Sequence, residues 1–208
     1  MFDMDGTLLD SAPAILRRLS ETLSQFGAVP PADAALIHYI GPPVRTTLTE
    51  FLAADDIPAA LDFYRELAVR DGLDREELYA GIPEFLGELA NAGIPLGVAS
   101  SKPQDEIEHI TAHFGIADFF TAVVGSSPER ITKAHVVAEA LRQLNHVSRD
   151  SALMVGDRIW DIEGAAEHGI PSVLVSWGYA AAGEEKTAIA HITSTDALAD
   201  FILNGSLA

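Results

Sequence analysis

Met1-Phe2-Asp3-Met4-Asp5-Gly6-Thr7-Leu8-Leu9-Asp10-Ser11 opens the chain, and its first two aspartates stand two residues apart where an apolar run breaks into Gly-Thr. On an extended strand, side chains two apart point to one face, so both carboxylates reach one centre beyond the strand end. Like charges this close repel, and one pKa rises unless a cation or a proton intervenes. Metal-assisted nucleophilic chemistry uses such a pair: one carboxylate attacks, the other handles protons, and a divalent cation with oxygen ligands offsets the charge.

The 208 residues suit one domain with an insertion, or two small domains. No run approaches the length of a membrane helix, and the N-terminus lacks a secretory signal pattern, so the expectation is a cytoplasmic protein. The absence of cysteine excludes disulfides, thiolate metal sites and thiol nucleophiles. Thirteen basic against 31 acidic residues, a net charge of -18, would repel nucleic acid and anionic membranes.

Working outward, residues 13–79 read as successive helices over 14–26, 32–40, 45–53, 59–70 and 75–79, broken at Pro30-Pro31, Gly41-Pro42-Pro43, Ile57-Pro58 and Gly72. No strand is expected there. From Gly81 the pattern alternates. Strands over 94–99, 122–124, 152–155 and 172–175 are separated by helices over 82–92, 105–114, 133–144 and 159–167, and a helix over 195–203 closes the chain. Continuous Val, Leu and Ile in those strands predict a parallel sheet with helices on both faces, a Rossmann-like α/β core that includes the first strand. The boundaries expected are a core of residues 1–12 and 80–208 and an inserted all-α cap of residues 13–79.

Ligands of such sheets bind beyond the carboxyl ends of the strands. The polar residues there are Asp3 and Asp5; Ser100, Ser101 and Lys102; Gly125, Ser126 and Ser127; and Gly156, Asp157, Arg158 and Asp161, with Lys133 opening the helix before the last group. Four carboxylates, a lysine and a small hydroxyl on one edge suit phosphoryl transfer.

With these residues in that order, the chain resembles the haloacid dehalogenase superfamily, in the phosphoglycolate phosphatase-like branch with a helical cap. Asp3-Met4-Asp5-Gly6-Thr7 matches the first motif, Val98-Ala99-Ser100-Ser101 the second, Lys133 the third, and Gly156-Asp157-Arg158-Ile159-Trp160-Asp161 the fourth. The resemblance implies that Asp3 attacks phosphorus and that Asp5 protonates the leaving oxygen and then activates water. It implies that Ser100, with the following turn at Ser101, and Lys133 hold the phosphoryl group while Gly6 and Thr7 shape the loop. Mg²⁺ would be held by Asp3, Asp157, Asp161 and the main-chain carbonyl of Asp5. Lys102 is the rival to Lys133 for the phosphate, and Lys133 is preferred because its place matches the third motif.

The implied function is a Mg²⁺-dependent phosphatase of small phosphomonoesters, of phosphoglycolate or nucleotide type. Its partner would be a small phosphorylated metabolite, and its state a monomer or homodimer. A mutase like β-phosphoglucomutase and a non-catalytic binding protein are the alternatives; dehalogenation is disfavoured by Asp5. Arg45, after Gly41-Pro42-Pro43, would reach from the cap toward an anionic substrate. Asp10 and Ser11 read as helix N-caps, and Trp177-Gly178-Tyr179 as cleft lining or packing against the cap. Tyr64 and Phe63 read as cap-helix residues, and the seven histidines (38, 109, 113, 135, 146, 168 and 191) lack metal spacing. Two departures from the family pattern stand out. Only Met1 and Phe2 precede Asp3, which predicts a short central strand and a missing upstream segment. Arg158 puts a cation where a small or acidic residue is usual, so it would weaken metal binding or lean outward.

Overall fold

A computed structural model describes residues 1–145, 148 and 151–205. In chain order its elements begin with β1 (Leu9–Asp10), α1 (Ala12–Gln25), α2 (Asp33–Leu36), α3 (Val44–Thr49), α4 (Ile57–Asp71) and β2 (Glu77–Leu78). There follow α5 (Ile82–Asn91), β3 (Leu96–Pro103), α6 (Gln104–His113), β4 (Phe120–Ser126), α7 (Lys133–Gln143) and β5 (Met154–Gly156). The chain continues with α8 (Ile159–Ala166), β6 (Ser172–Val175), β7 (Ala190–Ile192) and α9 (Thr195–Asn204).

The first three residues lie at the middle of a parallel sheet. Phe2 bridges Val98 of β3 on one side and Val155 of β5 on the other. Its carbonyl accepts from Ala99 N at 2.8 Å, and Asp3 N donates to Val155 O at 2.9 Å. With β3 paired to β4, β5 to β6 and β6 to β7, the spatial order is β4, β3, residues 1–3, β5, β6, β7. Residues 1–3 are held by the neighbours on both sides.

Both faces of the sheet are covered, because Val and Leu on its strands require apolar partners on each side. Ile82, Leu86 and Leu89 of α5, Ile107 and Ile110 of α6, and Leu198 of α9 pack with Phe2 and Val98 on one face. Val136, Val137 and Ala140 of α7 and Ala165 of α8 pack with Ala99, Val124 and Met154 on the other. A separate apolar cluster joins α1 to α4. Ile15, Leu19 and Leu23 recur every fourth residue on α1 and bury against Ile57, Ala60, Leu61 and Tyr64, so one helical stripe supplies the contact.

Several expectations need correction. Residues 75–79 are not helical: Glu77–Leu78 pairs antiparallel with Leu9–Asp10, so the 13–79 block does contain a strand. A five-residue helix barely repays its nucleation cost, whereas Glu76 is drawn inward by a buried ion pair with Arg18 at 3.1 Å and Leu78 finds Leu9. The helix expected over 32–40 stops at Leu36 and tightens to a 3₁₀ turn over Ile37–Tyr39; that over 45–53 ends at Thr49. Strand β7, Ala190–Ile192, lies outside the expected strands, since three residues carry too little periodicity to read.

Candidate functional site

The ends of the central strand and of β5 build one acidic centre at the carboxyl edge of the sheet. Asp3 ends the central strand, Asp157 and Asp161 follow β5, and one carboxylate oxygen from each lies within 4.8 Å of the others. All three residues are buried, at 4%, 0% and 2% exposure, which is costly for charges unless something compensates them. Lys133, at the start of α7, supplies part of that compensation: its Nζ lies 2.7 Å from Asp3 Oδ1 and 2.6 Å from Asp161 Oδ1.

The electrostatic consequences are large. Burial, and then the charges of Asp161 and Asp5 against the pull of Lys133, push the Asp3 carboxyl up to about 7. Asp157 is also raised well above the usual carboxylate range, first by burial and then by Asp161 and Asp3. Burial opposes the charge on Lys133, but the Asp161 and Asp3 carboxylates outweigh it and hold its pKa above the usual lysine value.

Local backbone geometry explains how Asp157 comes so close. Gly6 sits at φ +76°, and a Cβ there would lie 2.1 Å from Asp157 Oδ2; at Gly178 a Cβ would lie 2.3 Å from Asp157 Cβ. Only glycine allows both turns to close on the carboxylate. Tyr179 N donates to Asp157 Oδ2 at 2.7 Å, and the N–H groups of Asp157 and Arg158 donate to Asp161 Oδ2 at 3.1 and 3.0 Å. Asp157 Oδ1 is buried with no hydrogen-bond partner. An orphaned carboxylate oxygen facing two further carboxylates is an oxygen-donor set that fits a hard divalent cation.

Asp5 faces a different environment from Asp3. Lys102 Nζ donates to its Oδ1 at 2.9 Å and Oδ2 at 3.1 Å, and Ser11 Oγ donates to Oδ1 at 2.5 Å. Two lysines therefore divide two carboxylates, Lys133 on Asp3 and Lys102 on Asp5, rather than competing for one place. Ser100 is buried and its Oγ accepts from Lys102 N at 3.2 Å; Thr7 is buried, with its carbonyl held by Trp177 Nε1 at 3.0 Å.

Asp5, Ser101 and Lys102 open onto a cavity of about 190 Å³ whose other wall comes from the helical segment, including Tyr39, Pro42, Pro43, Arg45, Tyr64 and Arg65. Arg45 thus lies on the same cavity as Asp5.

Two expectations change here, and one pair of alternatives is decided. Ser11 occupies the N-cap position of α1 but makes no side-chain cap bond, because its hydroxyl goes to the Asp5 carboxylate. The cap is supplied instead by the Tyr179 hydroxyl, which accepts from Ser11 N and Ala12 N at 2.9 and 3.0 Å and donates to Asp10 Oδ1 at 3.0 Å. Of the two alternatives for Trp177-Gly178-Tyr179, packing against residues 13–79 is the one found: Trp177 meets Tyr79 and pins Thr7, and Tyr179 buries in the cluster of α1 and α4. Arg158 does not lean outward: it is 4% exposed and turns toward residues 38–40 and Glu184. The capping role of Tyr179, the part played by Glu184 and the Lys102–Asp5 pair carry no signal in the sequence, since each depends on segments brought together over 26 to 169 residues. Tyr64 and Phe63 do lie on α4, and among the described residues no histidine joins the carboxylate cluster; His146 lies outside them.

The profile of the haloacid dehalogenase-like hydrolases matches residues 1–175, which contain all four carboxylates and both lysines of this edge. The chain belongs to that family. The tyrosine-protein kinase PtkA of Mycobacterium tuberculosis is 36% identical over 204 residues, covering 95% of this chain and 70% of that protein. A 5'-nucleotidase of Pseudomonas aeruginosa is 34% identical over 189 residues, 88% of this chain and 85% of that one. The crystal structure of a predicted phosphatase from Clostridium acetobutylicum superposes with a TM-score of 0.90 at 34% identity, over 98% of this chain and 96% of the other. As a haloacid dehalogenase-like hydrolase, the chain keeps its acidic centre at the carboxyl edge of a parallel sheet. No helix among the described residues is long and apolar enough to cross a membrane.

Proposed function

We propose that this hydrolase is a Mg²⁺-dependent phosphatase of small phosphomonoesters, and that residues 13–79 act as the cap over a core of residues 1–12 and 80–208. The observation that carries the reading is the split environment of two carboxylates two residues apart: Asp3 lies in the buried acidic centre, and Asp5 lies on the cavity. Asp3, Asp157, Asp161 and the Asp5 carbonyl would hold the cation, which when bound neutralises charge on the phosphoryl oxygens and on the three carboxylates.

In this mechanism an Asp3 carboxylate oxygen attacks phosphorus, the P–O bond to the leaving group breaks, and protonated Asp5 gives its proton to the departing oxygen. A water then attacks the aspartyl-phosphate, Asp5 takes the water's proton, and phosphate leaves with Asp3 restored. Ser100, Ser101, the loop of Gly6 and Thr7, and Lys133 orient the phosphoryl oxygens. Lys102 and Ser11 fix the direction of Asp5. Arg45, Arg65 and the two tyrosines face the leaving group, which suits phosphoglycolate or a nucleotide, each carrying an anion or a ring beyond the phosphate.

The relative named as a tyrosine-protein kinase favours one second reading, in which the phosphoryl group passes to a protein hydroxyl instead of water. Phosphate release with Mg²⁺ from a panel of phosphoglycolate, nucleoside monophosphates and sugar phosphates tests both. Release that vanishes in Asp3→Asn is expected. Transfer of label from ATP to a protein tyrosine, with no release from any ester, would overturn the phosphatase reading.

A further inference from the structure

Arg158 is the least expected side chain of this site, and its contacts cross between two parts of the chain. Its guanidinium donates to the backbone carbonyls of Ile40 and of His38, the latter at 3.1 Å. Its Nε and a terminal nitrogen meet the two carboxylate oxygens of Glu184 at 3.1 and 3.2 Å. Glu184 also accepts the N–H of Ile159, the first residue of α8, at 3.1 Å. A planar fork that satisfies a carboxylate on one side and two carbonyls on the other fixes three segments at once, which a point charge cannot do.

The segment so held leads directly to the cavity. Gly41 follows Ile40 at φ +121°, and a Cβ there would come within 3.2 Å of both Arg158 Cγ and Trp160 Cδ1, so backbone and side chain are in close contact. Gly41, Pro42, Pro43, Val44 and Arg45 then line the cavity opposite Asp5 and Lys102. Two successive prolines have no N–H to give, and α2 is a single turn. Within the segment, Ile40 N donates to Ile37 O at 3.1 Å, Thr47 Oγ1 donates to Tyr39 O at 3.0 Å, and Ile40 buries in the cluster of α1 and α4; these hold it to the helical part, and the Arg158 fork is what ties it to the loop that carries Asp157. At its other end Arg158 is the residue after Asp157, and its own N–H helps hold Asp161.

We propose that Arg158, backed by Glu184, is a positioning residue that fixes the 38–45 segment against the acidic edge and so sets how tightly the cavity grips a leaving group. The second half of this statement rests on the phosphatase reading; the first does not. Arg158 touches no reacting atom, so its loss acts through the segment.

Hydrogen–deuterium exchange on the full chain, with p-nitrophenyl phosphate kinetics beside it, tests the clamp. In Arg158→Met, amides of residues 36–46 should exchange roughly tenfold faster while those of β3 and α7 stay as in the wild type. Arg158→Lys should not restore them, because an ammonium cannot span both partners, and Glu184→Gln should show a smaller acceleration in the same stretch. The KM for p-nitrophenyl phosphate should rise about tenfold, a loss of charge-assisted hydrogen bonding, with kcat within about threefold. Wild-type exchange over residues 36–46 in both Arg158→Met and Glu184→Gln would overturn the clamp. So would acceleration spread evenly over the sheet, which would mean a merely structural role. If the wild type turns over no ester, the phosphatase reading fails while the exchange result still decides the clamp.

Discussion

Lys133 Nζ stands 2.7 Å from Oδ1 of Asp3, an ion pair whose two side chains are 7% and 6% exposed. It is one lysine serving a crowd of carboxylates, since Asp161 shares the same ammonium at 2.6 Å, and among the described residues no ion pair joins Asp157. The acidic centre is thus left under-neutralised by the protein.

Asp3→Asn should abolish phosphate release while leaving the far-ultraviolet circular dichroism unchanged, because the amide keeps the shape and loses the nucleophile. At pH 8 without metal its melting temperature should exceed that of the wild type by about 2–4 °C, the shift for roughly 1 kcal/mol in a chain of this size. Wild-type turnover in the purified variant would remove Asp3 from the mechanism.

Lys133→Met should be far more damaging to the fold. It removes the partner of two buried carboxylates and leaves them uncompensated, a loss of about 3–5 kcal/mol of stability. Urea unfolding in EDTA should show the deficit, and millimolar Mg²⁺ should recover part of it.

The pH dependence of stability has a definite sign. Asp3, pushed up to about 7, and Asp157, also raised, bind their protons more tightly folded than unfolded. The stability this contributes is fully present below about pH 4, the unfolded carboxylate range, and is lost as pH rises through about 7. Thermal melts of the metal-free protein should show the gap between Asp3→Asn and wild type widening from pH 5 to pH 8. Mg²⁺ should close that gap by stabilising only the charged wild type, and a gap indifferent to both pH and metal would contradict it.

Arg45→Ala should raise KM for phosphoglycolate, whose carboxylate extends beyond the phosphate, by about 1.5–3 kcal/mol in binding terms. A substrate lacking a second anion should be nearly unaffected. Initial-rate kinetics on the two esters separate recognition from a general failure of the cavity to close.

The sequence by itself put Asp3, Asp5, Asp157 and Asp161 beyond the ends of apolar runs that read as strands of a parallel sheet, while the preference for Lys133 over Lys102 came from the family resemblance. The same periodicity located most helices, but not β2 or β7, whose two and three residues are too short to carry a pattern. Only the tertiary structure decided what those carboxylates meet. That Lys102 holds Asp5, that the Tyr179 hydroxyl caps α1, and that Arg158 turns inward to the 38–40 carbonyls are matters of long-range approach. Local propensity is set by neighbours a few residues away, whereas the partner of a buried charge is chosen by whichever distant donor the packing brings within hydrogen-bond distance.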